Sequence, residues 1–346
     1  MANPQRILLI YTGGTIGMVK DATRNTYLPF DFNLIREHFP EFKRFSCEIV
    51  VESFNPPLDS SNIGPEVWVR LACMIRDNYD AFNGFVILHG SDTMAYTGSA
   101  LSFMLEGLSK PVILTGAQLP IGEIRTDARE NLVTAMEIAS MAEPAIREVA
   151  IFFGHKLFRA NRTKKVTADV FGAFTSPNFI ALAQAGVHLK FFRPTPEDAW
   201  NKIPFRVQET LEPRIGLKKF FPGITHSVVD SILLKPEIKG IIIESYGSGN
   251  IPNNKELIDS IRKSIEMGKV ILNITQCTGG SVEMGRYETS RALKEAGVLD
   301  GCDLTFEAAL TKMMYLLGKY DDIEKVKYFL EHNIRGEMSS ERAYTL

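Results

Sequence analysis

The feature that most constrains this chain is a recurring unit: a short run rich in Ile, Leu, Val and Phe, a polar turn containing glycine, then a segment of helical periodicity. Short apolar runs fit buried strands. Strands that alternate with helices build a parallel sheet, because a parallel pair needs a crossover on one face. The first run, RILLIY from Arg6, ends in TGGTIG. The second, GFVILHG at 84–90, passes through Ser91 and Asp92, both good helix N-cap types, into TMAYTGSALSFMLEGL. The third, PVILTG at 111–116, leads through QLPIGE to the helical TDARENLVTAMEIAS, and the fourth, EVAIFFG at 148–154, leads to the basic loop ANRTKK. The carboxyl ends of these four runs are expected to converge on one sheet edge.

With 346 residues the chain exceeds the usual single-domain size, so two domains are expected. The segment 191–213 is rich in proline and charge and lacks periodicity, which marks it as the linker. Residues 1–190 then form the N-terminal catalytic domain and 214–346 a C-terminal domain. In the latter, KGIIIESYGSGN and KVILNITQCTGG read as buried strands separated by the helix KELIDSIRKSIEMG. The tail from Leu304 to Ile334 reads as two amphipathic helices.

Composition excludes several classes of function. Lys plus Arg (39) nearly balance Asp plus Glu (41), so the net charge of -2 gives no footprint for nucleic acid or an anionic membrane. A small neutral or zwitterionic ligand fits better. No apolar stretch reaches the roughly 18 residues of a spanning helix. The start carries no signal-peptide pattern, and the four cysteines, Cys47, Cys73, Cys277 and Cys302, lack CxxC spacing. Reduced thiols and a cytoplasmic location are expected. The turn TGGTIGM has no Gly-Lys-Ser/Thr ending and no GxGxxG, while the histidines show neither HxxxH nor HxH spacing. Neither a nucleotide cofactor nor a metal is expected.

What remains is hydroxyls, carboxylates and amines, the tools of acyl transfer through an ester. Ligands of open parallel sheets bind beyond the carboxyl ends of the strands, which selects the loops. Thr12, Gly13, Gly14 and Thr15 follow the first run; taken alone, TGGT is equally a tight turn with Thr15 capping a helix. His89, Gly90, Ser91, Asp92 and Thr93 follow the second, where N-capping would account for Ser91 and Asp92, and His89 is more readily a packed histidine than a base. Lys165 is an ordinary solvated lysine unless the fold brings its ammonium to Ser91 and Asp92.

ILLIYTGGTIG and GFVILHGSDTM, separated by LDSSN and followed by TGAQ and NRTKK, together resemble the signature motifs of the asparaginase/glutaminase family. IESYGSGN, TQCTGG and FEAALTKMMYLL make the chain similar to its cytoplasmic (type I) bacterial members. The resemblance implies an α/β fold: a larger flavodoxin-like N-terminal domain with a mostly parallel sheet, and a smaller C-terminal α/β domain with a parallel sheet. It implies that Thr15 attacks the side-chain amide of L-asparagine to give a β-aspartyl ester, and that Tyr27, on a loop that closes over the substrate, helps to activate Thr15. Ser91, Asp92 and Lys165 would form a second catalytic cluster. Asp59, Ser60 and Ser61 would grip the α-carboxylate and α-amine, with Asp92 also accepting from the α-ammonium. Ala117 would join Gly90 and Ser91 as a backbone donor, and Asn250 would reach the site of a neighbouring protomer in a homodimer or dimer of dimers.

Three positions depart from the family pattern. The second motif usually reads HGTDT, where this chain has Ser91. Glu244 and Lys164 stand where relatives that carry a regulatory asparagine site often have Arg and Thr. Cys277, beside that region, is therefore expected to be an ordinary buried thiol. Rival readings are a glutaminase, an amidohydrolase partner of a tRNA-dependent amidotransferase, and an amino-acid sensor without chemistry.

Overall fold

The computed structural model describes residues 5–21, 26–29, 40–143, 145–192, 203–285 and 288–339. Its contacts divide the chain into two compact units, Met1–Glu209 and Thr210–Leu346. In the first unit the strands are β1 (Arg6–Gly13), β2 (Met18–Asp21), β3 (Thr26–Pro29), β4 (Glu48–Leu58), β5 (Gly84–Leu88), β6 (Leu105–Glu106), β7 (Val112–Thr115), β8 (Val149–Phe153), β9 (Lys156–Arg159), β10 (Lys164–Lys165), β11 (Phe174–Thr175), β12 (Ala183–Gln184), β13 (Lys190–Phe191) and β14 (Arg206–Val207). The helices are α1 (Pro65–Asp77), α2 (Met94–Met104) and α3 (Ala128–Ala139).

Eight strands form the main sheet, in the order β13-β12-β9-β8-β7-β5-β1-β4. The four runs read from the sequence are the adjacent strands β8, β7, β5 and β1, all parallel, with Leu9 beside Val86, Val86 beside Ile113 and Ile113 beside Ala150. They read as unbroken apolar runs because helices cover both faces of the sheet. Leu9, Val86 and Ile113 pack with Leu132 and Met136 of α3 in one core cluster. The sheet is mostly parallel, and β9, β12 and β13 extend it with antiparallel pairs. β4 runs parallel to β1 at the opposite edge. Its sequence, EIVVESFNPPL, is half-buried and carries two prolines, which a sheet edge tolerates because one side needs no donors.

Two boundaries differ from the sequence reading. Helix α2 starts at Met94, and its N-cap residue is Thr93, so Ser91 and Asp92 are not capping residues. It also stops at Met104, where Leu105–Glu106 turns aside as β6 and pairs with β14. There Arg206 Nε donates to the buried Glu106 carboxylate at 2.6 Å. The segment containing ANRTKK, expected as a loop, is a short 3-10 turn at Ala160–Arg162 followed by β10, antiparallel to β11.

In the second unit, β15 (Ile215–Lys219), β16 (Gly240–Ser245), β17 (Val270–Thr275) and β18 (Leu299–Asp300) form a four-stranded sheet in sequence order, parallel throughout. Its helices are α4 (His226–Leu233), α5 (Lys255–Glu266), α6 (Glu288–Glu295), α7 (Phe306–Lys319) and α8 (Ile323–Glu331). The strands and helices expected here appear, α7 and α8 being the two helices of the tail. Cys277 is a correction: its thiol is exposed, because it lies in the polar turn beyond β17 and not in the strand. Glu244, by contrast, is buried at the end of β16, with Lys219 Nζ 3.3 Å from its carboxylate.

The end of the described chain is fastened by a buried ion pair. Lys312 Nζ lies 2.5 Å from Glu337 Oε1, and both side chains are 0% exposed. Lys312 also donates to His332 O at 2.7 Å, and Glu337 accepts from the amides of Ile334 and Arg335 at 3.0 and 2.6 Å. Removing one partner of such a pair strands a charge without water, which costs about 3–5 kcal/mol. Lys312→Met is therefore expected to lower unfolding stability by that order in urea titration. Adding Glu337→Gln, which keeps the carbonyl acceptor without the charge, is expected to restore part of it.

Candidate active site

Close backbone approach assembles the loops at the carboxyl ends of β1, β4, β5 and β7. A Cβ on Gly13 would fall 2.0 Å from Leu58 O, and one on Gly14 would fall 2.5 Å from Gly90 N and Cα. Both distances lie far inside van der Waals contact. Both glycines also have positive φ, 135° and 85°, which L side chains rarely adopt. The two glycines of TGGT thus let the loop after β1 lie directly on those after β4 and β5. Gly90 is likewise pressed on Ser60, with the place of its Cβ 2.6 Å from Ser60 Oγ, and Gly116 on His89, at 2.4 Å from its carbonyl oxygen.

Thr15 follows Gly14 and opens a single 3-10 turn, Thr15–Gly17, in which its side chain is half-buried. The turn rests on the buried Tyr11 ring, whose hydroxyl donates to Gly17 O at 3.3 Å. Burial pushes the Tyr11 hydroxyl up to about 12, so it stays a neutral donor here. Thr15 and Ser91 each follow a glycine of the Gly14–Gly90 contact, which brings the two hydroxyl-bearing loops together.

Lys165, far away in sequence, reaches the same place. From β10 its ammonium donates to Ser91 Oγ at 2.8 Å and to Asp92 Oδ1 at 2.7 Å. Ser91 in turn donates to Gln118 Oε1 at 3.3 Å. The Lys165 side chain is 16% exposed and that of Asp92 70%, and an ion pair so open to water contributes at most about 1 kcal/mol to stability. Stability is too small a gain to account for this arrangement. Its chemical capacity is larger: an ammonium that donates to a hydroxyl oxygen stabilises the charge that would develop there.

The loop after β4 carries Asp59, Ser60 and Ser61. Asp59 accepts from Ser61 Oγ at 2.7 Å and Ser61 N at 2.8 Å, and these bonds hold its carboxyl below the usual carboxylate range. It is thus a charged, exposed acceptor for an ammonium. Ser60 is buried against Gly90, and its carbonyl accepts from Thr93 Oγ1 at 2.6 Å. Ala117 is buried in the loop after β7. Asp127 clamps that loop by accepting from the amides of Gln118 and Leu119 at 3.0 and 3.1 Å, and Asn131 Nδ2 donates to Gly116 O at 3.0 Å.

The residues expected at positions 15, 59–61, 91, 92, 117 and 165 therefore all lie on these neighbouring loops and on β10, in the first unit. The backbone of Tyr27 lies in β3, paired with Lys20 of β2; its side chain falls outside the described residues. Asn250 belongs to the second unit, where it bridges Tyr246. Gln118, Asp127 and Asn131, which hold these loops by hydrogen bonds, were not singled out by the sequence reading. The signal was an acidic residue at the start of a helix, which resembles an ordinary cap. Among the described residues no cluster of three or more His, Cys, Asp or Glu could hold a metal ion, and no helix is long and apolar enough to cross a membrane.

Two family models match the chain: the N-terminal asparaginase domain over residues 6–197 and the glutaminase/asparaginase C-terminal domain over 214–330. The chain belongs to the asparaginase family. It is similar to L-asparaginase 1 of Escherichia coli, with 43% identity over 96% of this chain and 98% of that protein. Two asparaginase structures superpose on it, each with a TM-score of 0.89. L-asparaginase I of Vibrio cholerae is 40% identical, with 97% of this chain and 99% of that one covered. The thermostable L-asparaginase of Thermococcus kodakarensis is 31% identical, with 97% and 100% covered. At position 91, where the family resemblance implies threonine, the hydroxyl of Ser91 receives the Lys165 bond.

Proposed function

We propose that this chain hydrolyses L-asparagine to L-aspartate and ammonia, without metal or cofactor. The reading rests above all on one ammonium, that of Lys165, hydrogen-bonded at once to the Ser91 hydroxyl and the Asp92 carboxylate. Thr15 Oγ attacks the side-chain amide carbon, and its proton is relayed by way of the Ser91 hydroxyl to the amide nitrogen, which leaves as ammonia, while the Lys165 ammonium stabilises the charge that develops on the oxygens during the transfer. The tetrahedral oxyanion is held by backbone N–H groups of the loops containing Gly90, Ser91 and Ala117, and collapses with release of ammonia. Water then cleaves the β-aspartyl ester, freeing aspartate and restoring the Thr15 hydroxyl. Tyr27 assists the attack. Asp59, Ser60, Ser61 and Asp92 hold the α-carboxylate and α-ammonium, which explains how a nearly neutral protein can bind a zwitterion. Asn250 completes the site of a neighbouring protomer in a homodimer or dimer of dimers, acting in the cytoplasm.

The test is ammonia release by the purified protein from asparagine, glutamine and a panel of other amides. Asparagine is expected to give the highest kcat/KM. Glutamine is expected to be a side substrate, since a pocket discriminates one methylene by only about 1–3 kcal/mol. A higher kcat/KM for glutamine would make the protein a glutaminase. Asparagine binding with no ammonia from any substrate would leave a sensor.

A further inference from the structure

His89 is wholly buried, yet it stands immediately before Gly90, Ser91 and Asp92. Both ring nitrogens are engaged. Nδ1 is 2.7 Å from Gly90 O, and Nε2 is 2.8 Å from Thr97 Oγ1, which also accepts from Trp68 Nε1 at 3.0 Å. A carbonyl oxygen can only accept, so the proton lies on Nδ1. The indole N–H can only donate, so the Thr97 hydroxyl accepts there and has its own proton for Nε2. The carbonyl end fixes the tautomer, and the Thr97 end is compatible with it. Burial also lowers the ring's pKa to about 4, which keeps it neutral at pH 7.

We propose that His89 is a positioning residue for the reaction, aiming the backbone N–H of Ser91 out of the core towards the substrate by holding Gly90 O inward. The proposal rests on the asparagine-hydrolysis reading above. In a trans peptide the carbonyl and the following N–H point to opposite sides. With Gly90 O drawn down to the buried ring, the Ser91 N–H is turned away from it. Translation of this peptide is blocked by its neighbours, since the places of a Cβ on Gly90 and on Gly14 lie 2.6 Å from Ser60 Oγ and 2.5 Å from Gly90 N. Rotation about the Cα–Cα axis is the remaining freedom, and the Nδ1 hydrogen bond removes it. An oxyanion donor gives most when it needs no reorientation during the reaction.

The experiment compares His89→Leu, which removes the donor, with His89→Asn, whose amide nitrogen can take the place of Nδ1. It adds the ring-nitrogen NMR shifts of His89 in the wild type, assigned by their loss in His89→Asn. The expected results are an Nδ1–H tautomer at pH 7, a kcat lowered about 10- to 100-fold in His89→Leu with KM within about threefold, and recovery to within about fivefold in His89→Asn. A purely structural histidine would lower Tm in both variants and leave the kcat of the folded fraction unchanged. That result, an Nε2–H tautomer, or equal kcat losses in both variants would overturn the proposal. If His89→Leu does not fold, His89→Asn and the tautomer still decide. A wild type that releases no ammonia would sink the hydrolysis reading instead, while the tautomer would still report on the geometry.

Discussion

Thr15→Ala is expected to reduce ammonia release from asparagine by about 10⁴-fold or more, because removing a nucleophile removes the covalent route altogether. The fold should survive the change. Thr15 is half-buried on a single turn whose position is set by Gly14 against Gly90 and by Tyr11 beneath Gly17, and none of these contacts uses its hydroxyl. Aspartate binding, measured calorimetrically, is therefore expected to stay within a few-fold of wild type. Thr15→Ser is expected to retain much more activity than alanine, since it loses only the methyl that restricts χ1. If Thr15→Ala kept a tenth of the wild-type kcat, another hydroxyl would be the nucleophile. Ser91, which already receives the Lys165 bond, would be the one to replace next.

The central sheet was legible because β5, β7 and β8 are covered on both faces, and full coverage leaves an unbroken apolar signature in the sequence. β4 left no such trace. One of its sides is open, so its residues obey neither the buried-run nor the strict alternating pattern, and its two prolines read as loop. Yet it carries Asp59, Ser60 and Ser61 to the site, which were reached only through family resemblance. Lys165 shows a further limit of sequence reading. Its neighbours along the chain mark it as a surface lysine, and only pairing of β10 with β11 brings it 73 residues back to Asp92. Ser91 and Asp92 illustrate the converse error: they are good N-cap types before a helix, but Thr93 takes the N-cap position and both side chains turn to Lys165. Local chemistry suggested a structural task that the tertiary structure reassigned. The exposure of Cys277 follows the same lesson, since a free thiol is usually buried but this one sits in a glycine-rich turn past the end of β17.

Lys165→Met is expected to lower kcat by about 10²- to 10⁴-fold while changing KM by less than about fivefold. Methionine keeps most of the stem and its packing but cannot donate, so the change isolates the ammonium. In the wild type that ammonium holds Ser91 Oγ at 2.8 Å and Asp92 Oδ1 at 2.7 Å. In the proposed mechanism its interaction with the ground-state substrate is indirect, through Asp92, whereas the charge that develops as a hydroxyl proton moves is stabilised directly. Loss of the group should therefore be felt in the transition state far more than in binding, which is the pattern of a kcat effect. Little stability is at risk, because Asp92 is 70% exposed and such a pair contributes at most about 1 kcal/mol. An unchanged Tm would separate the kinetic loss from unfolding. Lys165→Arg should not rescue, because a planar guanidinium cannot replace a compact ammonium that reaches two neighbouring oxygens. Equal losses in aspartate affinity and turnover would instead make Lys165 a binding residue, and the proton would then have to leave by another path, with Tyr27 the next residue to test.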